Sequence, residues 1–392
     1  MGDMGDMADP ILWAGIVMLA GAIGAIAARA LKLPAACGAL AGGAALLTTA
    51  RRFGWIEIWP DLGLIRSLLV AFLCFLLGAR LDLTRLVKRW RPIVSSALAQ
   101  SAAVMVLVAA AGWATGMGAI GCLLLAAGAV AASPTALICV ASETRARGDF
   151  TQAILTISLI GLVVGSLGAS VAGPAELLFL VEGLALGAVC GAVIMMPLSR
   201  MSTRAAILTC VAAGTLLLVS CARLRPEPWL LAPMSILAGF MSGNLIPNRV
   251  LIRDALGDAA LPAGVMLFAL VGSSVLGTEI PGVLLPATLV LVARAAGLSL
   301  AGFMTASTSQ RALQPAALLP MAGCSVTTAA TSAATGAVLA DGSAGYPIAA
   351  TLFTAALFSE ALGMIGTRWA LHRAGEAAPA LENPDAWRAQ MR

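Results

Sequence analysis

Apolar residues along this chain come in runs of about twenty, separated by short segments that hold charges, prolines and asparagines. An α-helix of that length crosses the ~30 Å hydrocarbon core of a bilayer. Dividing the chain at these polar segments predicts thirteen membrane spans. They are residues 10–29, 33–50, 61–79, 92–113, 118–141, 151–172, 174–197, 204–221, 228–244, 258–276, 281–305, 312–340 and 344–371. The segment 312–340 is too long and too rich in glycine, serine and threonine for one plain helix.

Composition supports a membrane protein and excludes a soluble one. Apolar residues make up 60% of the 392 residues and charged residues 11%, with a mean hydropathy of +0.96. A soluble domain carries about 25% charged residues. The eight cysteines form no CxxC pair, so helix packing is favoured over metal binding. No catalytic triad or phosphate loop is evident, so we expect no enzyme, no cofactor and no nucleic-acid partner.

Basic residues alternate between the predicted loops. Eighteen of the 24 lysines and arginines would lie on one side of the membrane and four on the other, while Arg66 and Arg294 fall inside spans. Cytoplasmic loops carry the excess of basic residues. The pattern therefore predicts an N-terminus outside and a C-terminus in the cytoplasm. Arginine-, alanine- and glycine-rich usage favours a bacterial inner (plasma) membrane.

An internal repeat is visible in two short motifs and two helix breaks. Gly78 ends the motif Phe-Leu-Leu-Gly, and Gly272 ends a similar motif that contains Phe268. Each motif lies two spans before an interrupted helix, with breaks near Pro134 and near Pro320. Seven spans separate equivalent elements, and an odd number inverts the second half. The fold predicted is all-α, with two inverted repeats and crossing discontinuous helices, as in secondary transporters.

Interrupted helices place polar backbone at membrane depth. Such backbone persists only where it is buried in protein or lines a wet cavity. Where two breaks cross, four half-helix ends meet, two of them partly positive and two partly negative. The predicted site therefore lies at the membrane midplane. Its candidate members are Ser133 and Thr135 beside the break at Pro134, and Ser325 and Thr327 beside the break at Pro320 and Gly323.

Six short motifs in order resemble the monovalent cation:proton antiporter-2 family, the Kef-type sodium or potassium/proton exchangers. The resemblance covers residues 12–376. The motifs are Leu33-Pro34 with Gly38 and Gly42, Phe75 to Leu83, Ala132 to Thr135 with Glu143 and Gly148, Val292 to Arg294, Ser359 to Gly363, and Arg373 to Glu376.

The resemblance implies a dimerising scaffold and a mobile core that moves against it by elevator-type alternating access. It implies a homodimer in contact with membrane lipid. The segments are 1–113 for scaffold helices leading into the core, 114–173 for core helices broken near 132–135, 174–197 for a linker helix, 198–276 for second-repeat scaffold helices, 277–372 for second-repeat core helices broken near 320–328, and 373–392 for a short cytoplasmic tail.

The chain departs from the family at the ion-binding carboxylate of the sixth helix. The acidic position falls at Gly161, and no Asp or Glu occurs between Asp149 and Glu176. Proton antiport needs a group that binds a cation in one state and a proton in the other. Thr156 and Ser158 on the same span do not ionise and could lend only dipolar oxygens.

Arg294 would then lack the acidic partner that the resemblance implies. A mid-membrane arginine must be satisfied. Three partners are considered: carbonyls at the broken helix ends, Glu360 of the last span, or an anionic substrate. Glu360 and Glu182 are the buried acids that could carry protons instead, although both positions are typical of structural residues.

Three functions stay open. The first is a secondary active transporter of this fold, related to cation:proton antiporters, with an atypical ion site. The second is a transporter of an anion or other small solute that uses Arg294 and the half-helix dipoles. The third is a membrane sensor or scaffold that transports nothing.

Overall fold

The computed structural model describes residues 10–54, 62–169, 175–224, 230–273, 280–307, 310–321 and 345–377. In these ranges it contains fourteen α-helices and no named strand. They are α1 Pro10–Ala30, α2 Ala35–Arg52, α3 Gly63–Arg80, α4 Leu83–Ala114, α5 Ala119–Val130, α6 Pro134–Glu143, α7 Asp149–Ala169, α8 Ala175–Leu198, α9 Arg204–Arg223, α10 Leu231–Leu245, α11 Arg249–Ser273, α12 Ile280–Thr305, α13 Leu313–Ala317 and α14 Gly345–Arg373. Eight of these helices are long and apolar enough to cross a membrane.

The helices follow the thirteen predicted spans. The fifth span, 118–141, consists of two helices, α5 and α6, which confirms the predicted interruption. Of the twelfth span, 312–340, the structure describes α13 and the residues up to Met321. Gly323, Ser325 and Thr327 lie outside the described residues.

Two helices begin nine residues earlier than their predicted spans, because the chain was divided at Pro92 in one case and at the charged residues up to Asp258 in the other. α4 begins at Leu83, where the Asp82 carboxylate accepts a hydrogen bond from Thr84 N at 3.0 Å. A kink at Arg89, with φ −125° and ψ 21°, relieves the crowding that Pro92 imposes on the preceding turn. α11 likewise begins at Arg249 and contains Pro262 within it.

Helix packing is arranged as two equivalent halves. α2 packs on α11 as α3 packs on α10, and α1 packs on α11 as α9 packs on α3. α4 and α5 pack on α7 as α12 and α13 pack on α14. α4 and α12 pack on each other. Exchanging the first half for the second reproduces each of these pairs, as the predicted inverted repeat requires.

The two repeat glycines perform equivalent packing roles. A Cβ at Gly78 of α3 would overlap the Ile236 carbonyl oxygen of α10. A Cβ at Gly272 of α11 would overlap the Leu40 carbonyl oxygen of α2. Each glycine lets two helix backbones approach closely, as is common between membrane helices. The sequence repeat therefore corresponds to a repeated helix contact.

Candidate functional site

The first interrupted helix meets the end of α13, where the second break is predicted, at the centre of the fold. Ser133 N donates a hydrogen bond to the Pro320 carbonyl at 2.8 Å, and Ala132 and Met321 form an isolated antiparallel β-bridge. This contact, together with the ends of α5 and α13 beside it, is called the crossing below. The last carbonyls of α5 and α13 therefore face the same small region.

Ser133 and Pro134 start the second half of the first interrupted helix. The Ser133 hydroxyl accepts a hydrogen bond from Ala136 N at 3.3 Å and so caps α6. Pro134 is the first residue of α6, where an N–H would lack a helical partner in any case. The break itself lies at residues 131–133, just before the predicted proline.

Arg294 of α12 is fully buried and bonds to the carbonyl ends of α5 and α13. Its guanidinium makes five hydrogen bonds, which matches its five N–H groups. Nε donates to Leu319 O at 3.2 Å, Nη1 to Ala129 O and to Val130 O at 3.2 Å, and Nη2 to Leu318 O at 2.8 Å and Pro320 O at 3.2 Å.

These carbonyls resolve how Arg294 is satisfied. The last carbonyls of a helix have no partner within it and form its partly negative end. One guanidinium neutralises two such ends, from α5 and from α13. Of the three partners considered from sequence, the structure shows the broken helix ends. No guanidinium N–H remains for an anion in this arrangement.

Glu360 of α14 lies on the other side of the first interruption and is fully buried. Its Oε1 accepts a hydrogen bond from the Ser133 hydroxyl at 2.9 Å. The hydroxyls of Ser133 and Thr135 are 3.1 Å apart. The neighbouring Ser359 hydroxyl donates to Leu319 O at 2.6 Å, at the second interruption. α14 therefore contacts both breaks through adjacent residues.

Gly161 of α7 borders the same interruption from a third direction. A Cβ placed there would lie 3.5 Å from Val130 O and 4.0 Å from Ala132 N, in ordinary van der Waals contact. Thr156 and Ser158 are buried on α7, and their hydroxyls donate to carbonyls of their own helix, Gln152 O and Leu155 O, both at 2.8 Å. The structure therefore places Gly161 beside the crossing, while the hydroxyls of Thr156 and Ser158 are bonded within α7.

Sequence reasoning missed a second arginine that binds helix ends. Arg253 donates through Nε to Ala79 O at 2.8 Å, and through Nη2 to Gly243 O at 3.0 Å and Leu81 O at 3.2 Å. These carbonyls belong to the ends of α3 and α10. In the sequence Arg253 is one more basic residue of a loop, because carbonyl partners leave no signature in side-chain chemistry.

Sequence reasoning also did not predict that two glutamates cap helix N-termini. Both oxygens of Glu143 accept from Ala35 N, at 3.2 and 3.1 Å, at the start of α2. Glu376 accepts from Phe150 N and Thr151 N, both at 2.7 Å, at the start of α7. Both glutamates stand in the sequence motifs. They lie at the end of the molecule that holds Arg29, Arg80 and Arg147, which is called the basic end below.

Comparison with known proteins relates the chain to a transporter through its structure. No family model matches the sequence, and no curated protein matches it. A similar solved structure is the sodium proton antiporter MjNhaP1 from Methanocaldococcus jannaschii at pH 8. The TM-score is 0.68 at 16% sequence identity, and the alignment covers 94% of this chain and 98% of that chain. The chain therefore has the sodium/proton antiporter fold over nearly its whole length.

Proposed function

We propose that this chain is a secondary active transporter that exchanges a monovalent cation for protons by alternating access. The observation that supports the proposal is the crossing, where Arg294 bonds to the carbonyl ends of α5 and α13. Interrupted helices at matching places of an inverted repeat form the substrate sites of secondary transporters. The similar fold of a protein described as a sodium proton antiporter supports a cation as substrate.

The proposed motion follows the division expected from sequence. α4 to α7 and α12 to α14 form the mobile core, α1 to α3 and α9 to α11 form the scaffold and dimer interface, and α8 links them. The two sets touch where α6 packs on α3 and α11, and where α14 packs on α2. Moving the core breaks polar contacts at the basic end. They are Glu143 with Ala35 N, Gln152 with Arg80 O at 3.0 Å, and Arg147 with Asp254 at 2.8 Å.

An anion as substrate has weaker support. The sequence suggested an anion because it places an arginine inside a span without an acidic partner. Arg294 directs its five N–H groups at carbonyls, so an anion would have to displace helix ends. Only Pro320 O and Leu319 O among these carbonyls accept a second hydrogen bond from the described residues, from Ser133 N and from the Ser359 hydroxyl. In the proposed transporter Arg294 holds the crossing together and the substrate is a small cation. The proposed location is the bacterial inner membrane, with the basic end in the cytoplasm.

Proteoliposomes that contain the full chain test the proposal. An imposed sodium or potassium gradient should drive proton movement, read with a pH-sensitive dye between pH 6 and 9. Protein-free liposomes give the background rate. Anion gradients form a second arm of the experiment. Movement driven only by an anion gradient would replace cation exchange with the anion function. No movement with any gradient would favour a sensor or scaffold.

A further inference from the structure

Cation/proton exchange needs an ionisable group at the crossing, and α7 does not supply one. The stretch between Asp149 and Glu176 contains no Asp or Glu. Asp149 stands at the first turn of α7, where its carboxylate lies 3.2 Å from Arg89. The exchanging group must therefore come from another helix.

Gly161 leaves space where a side chain would reach the crossing. Gly165, one turn further along α7, provides the contrast. A Cβ at Gly165 would lie 2.8 Å from Ala127 O, so the close approach of α5 requires glycine there. A Cβ at Gly161 would be 3.5 Å from Val130 O, so packing does not require glycine at this position.

We infer that Glu360 of α14 is the cation- and proton-binding carboxylate of this chain, supplied by the helix that corresponds to α7 in the second repeat. The inference rests on the proposed function and names its site. Glu360 bonds to Ser133, while Gly161 borders Val130 and Ala132. The two positions flank the same interruption from two helices that occupy equivalent places in the inverted repeat. In this inference the acid is on α14, the repeat equivalent of α7, and it serves the same site that a side chain at Gly161 would reach.

The surroundings of Glu360 suit a cation that exchanges with a proton. The positive N-terminal end of α6, capped by Ser133, favours the ionised carboxylate. The hydroxyl oxygens of Ser133 and Thr135 lie beside it and can replace water around a small cation. When the cation leaves, a proton neutralises the carboxylate, and a neutral buried acid moves through the membrane at lower cost.

The charged groups near Glu360 have hydrogen-bond partners of their own. The described helices packed against α14 carry these titratable or charged groups: Arg294 on α12, Cys122 on α5, Cys139 and Glu143 on α6, and Cys37, Arg51 and Arg52 on α2. Of these, Cys37 and Cys139 are electrostatic neighbours of Glu360. Arg294 bonds to carbonyls, and Glu143 bonds to Ala35 N at the basic end. Within the described part of the chain, Glu360 is the carboxylate that contacts the crossing.

The alternative for Glu360 is a structural role as the hydrogen-bond acceptor of Ser133. Glu360→Gln separates the two roles, because an amide oxygen still accepts from Ser133 but the side chain no longer ionises. Asp258→Asn on α11 is the control, since it neutralises an acid that lies outside the crossing in an exposed ion pair with Arg204 at 3.0 Å. Size-exclusion profiles and melting temperatures in detergent check that each variant folds.

The experiment measures cation-driven proton flux in liposomes and proton release on sodium or potassium addition in detergent. We expect wild type and Asp258→Asn to show both signals, and Glu360→Gln to fall to the protein-free level. A folded Glu360→Gln variant that keeps wild-type flux and proton release overturns the inference but leaves the proposed function intact. A wild type without flux for either cation sinks the proposed function itself.

Two further variants keep the inference testable if Glu360→Gln does not fold. Glu360→Asp retains an acid on a shorter side chain, so flux should persist with a shifted pH profile, and an unchanged profile counts against the inference. The double variant Glu360→Gln with Gly161→Asp should regain flux, because the carboxylate returns to the same interruption from α7. A folded double variant without flux would contradict the inference that positions 161 and 360 serve one site.

Discussion

Two arginines bind helix ends in this molecule, one at its centre and one at its basic end. Arg294 is fully buried and donates to carbonyls at the ends of α5 and α13. Arg253 is half-buried and donates to carbonyls at the ends of α3 and α10. In both cases a guanidinium supplies the donors that the last turn of a helix lacks.

The difference between the two sites is what else could supply those donors. At the proposed membrane midplane a buried carbonyl needs a donor from the protein. Leu319 O and Pro320 O also accept from Ser359 and Ser133, but Ala129 O, Val130 O and Leu318 O have Arg294 as their donor among the described residues. At the basic end, water and neighbouring polar groups can take over. Asn244, for example, already donates to Leu81 O at 2.9 Å alongside Arg253. The same chemistry is therefore obligatory at the centre and replaceable at the edge.

The largest effect is expected from Arg294→Leu. The change leaves several buried carbonyls without donors, and each costs about 1–3 kcal/mol. We expect little folded protein by size-exclusion chromatography and a melting temperature far below wild type. Arg294→Lys, with three N–H donors, should be intermediate. If Arg294→Leu melts like wild type, water reaches the crossing and the contrast between the two arginines is wrong.

Arg253→Gln should have a smaller effect in the same assay. An amide keeps two N–H donors, and solvent can reach the carbonyls that remain, so a loss of about 1–2 kcal/mol is expected. Arg249→Gln, an exposed residue one turn earlier on α11, is the control and should leave the melting temperature unchanged. Equal losses at Arg253 and Arg294 would show that depth does not decide the cost.

Substitutions on α7 test how much displacement the crossing tolerates. Gly165→Ala places a Cβ 2.8 Å from Ala127 O and pushes the end of α5 away from Arg294. We expect destabilisation of about 1–3 kcal/mol, as in other overpacked cores. Gly161→Ala finds ordinary contact distances and should keep wild-type stability. The measurement is the melting temperature of each alanine variant. A lower melting temperature for Gly161→Ala than for Gly165→Ala would contradict the packing described for α5.

Much of the fold could be predicted because long apolar runs in the sequence indicate membrane helices. The thirteen spans, the inverted repeat and the break before Pro134 follow from such runs and from two glycine motifs. The helices α4 and α11 begin before the predicted spans, because Pro92 and the charged residues up to Asp258, at which the chain was divided, lie inside these helices. In α4 the Asp82 cap starts the helix and the kink at Arg89 accommodates Pro92, so the proline does not end the helix.

The site could be predicted only in part. Ser133, Arg294 and Glu360 were candidates from sequence, and the structure brings each of them to the crossing. Their roles in transport stay predictions. Arg253 was missed because its partners are main-chain carbonyls, which every residue carries. Thr156 and Ser158 share a helix with Gly161, yet spacing did not show that their hydroxyls bond back to α7.

The smallest effect is expected at Glu376. Here an acid binds the N–H groups of a helix N-terminus, whereas the two arginines bind the carbonyls of helix C-termini. This carboxylate accepts from Phe150 N and Thr151 N and from the Thr151 hydroxyl at 2.6 Å, so an acid holds a helix N-terminus at the basic end. Glu376→Gln removes the charge but keeps an acceptor, and a loss of about 0.3–1 kcal/mol is expected. Glu376→Ala should lose more, because the N–H groups at the start of α7 lose their acceptor. A drop in melting temperature at Glu376→Gln as large as at Arg253→Gln would show that charge, rather than access to solvent, governs the basic end.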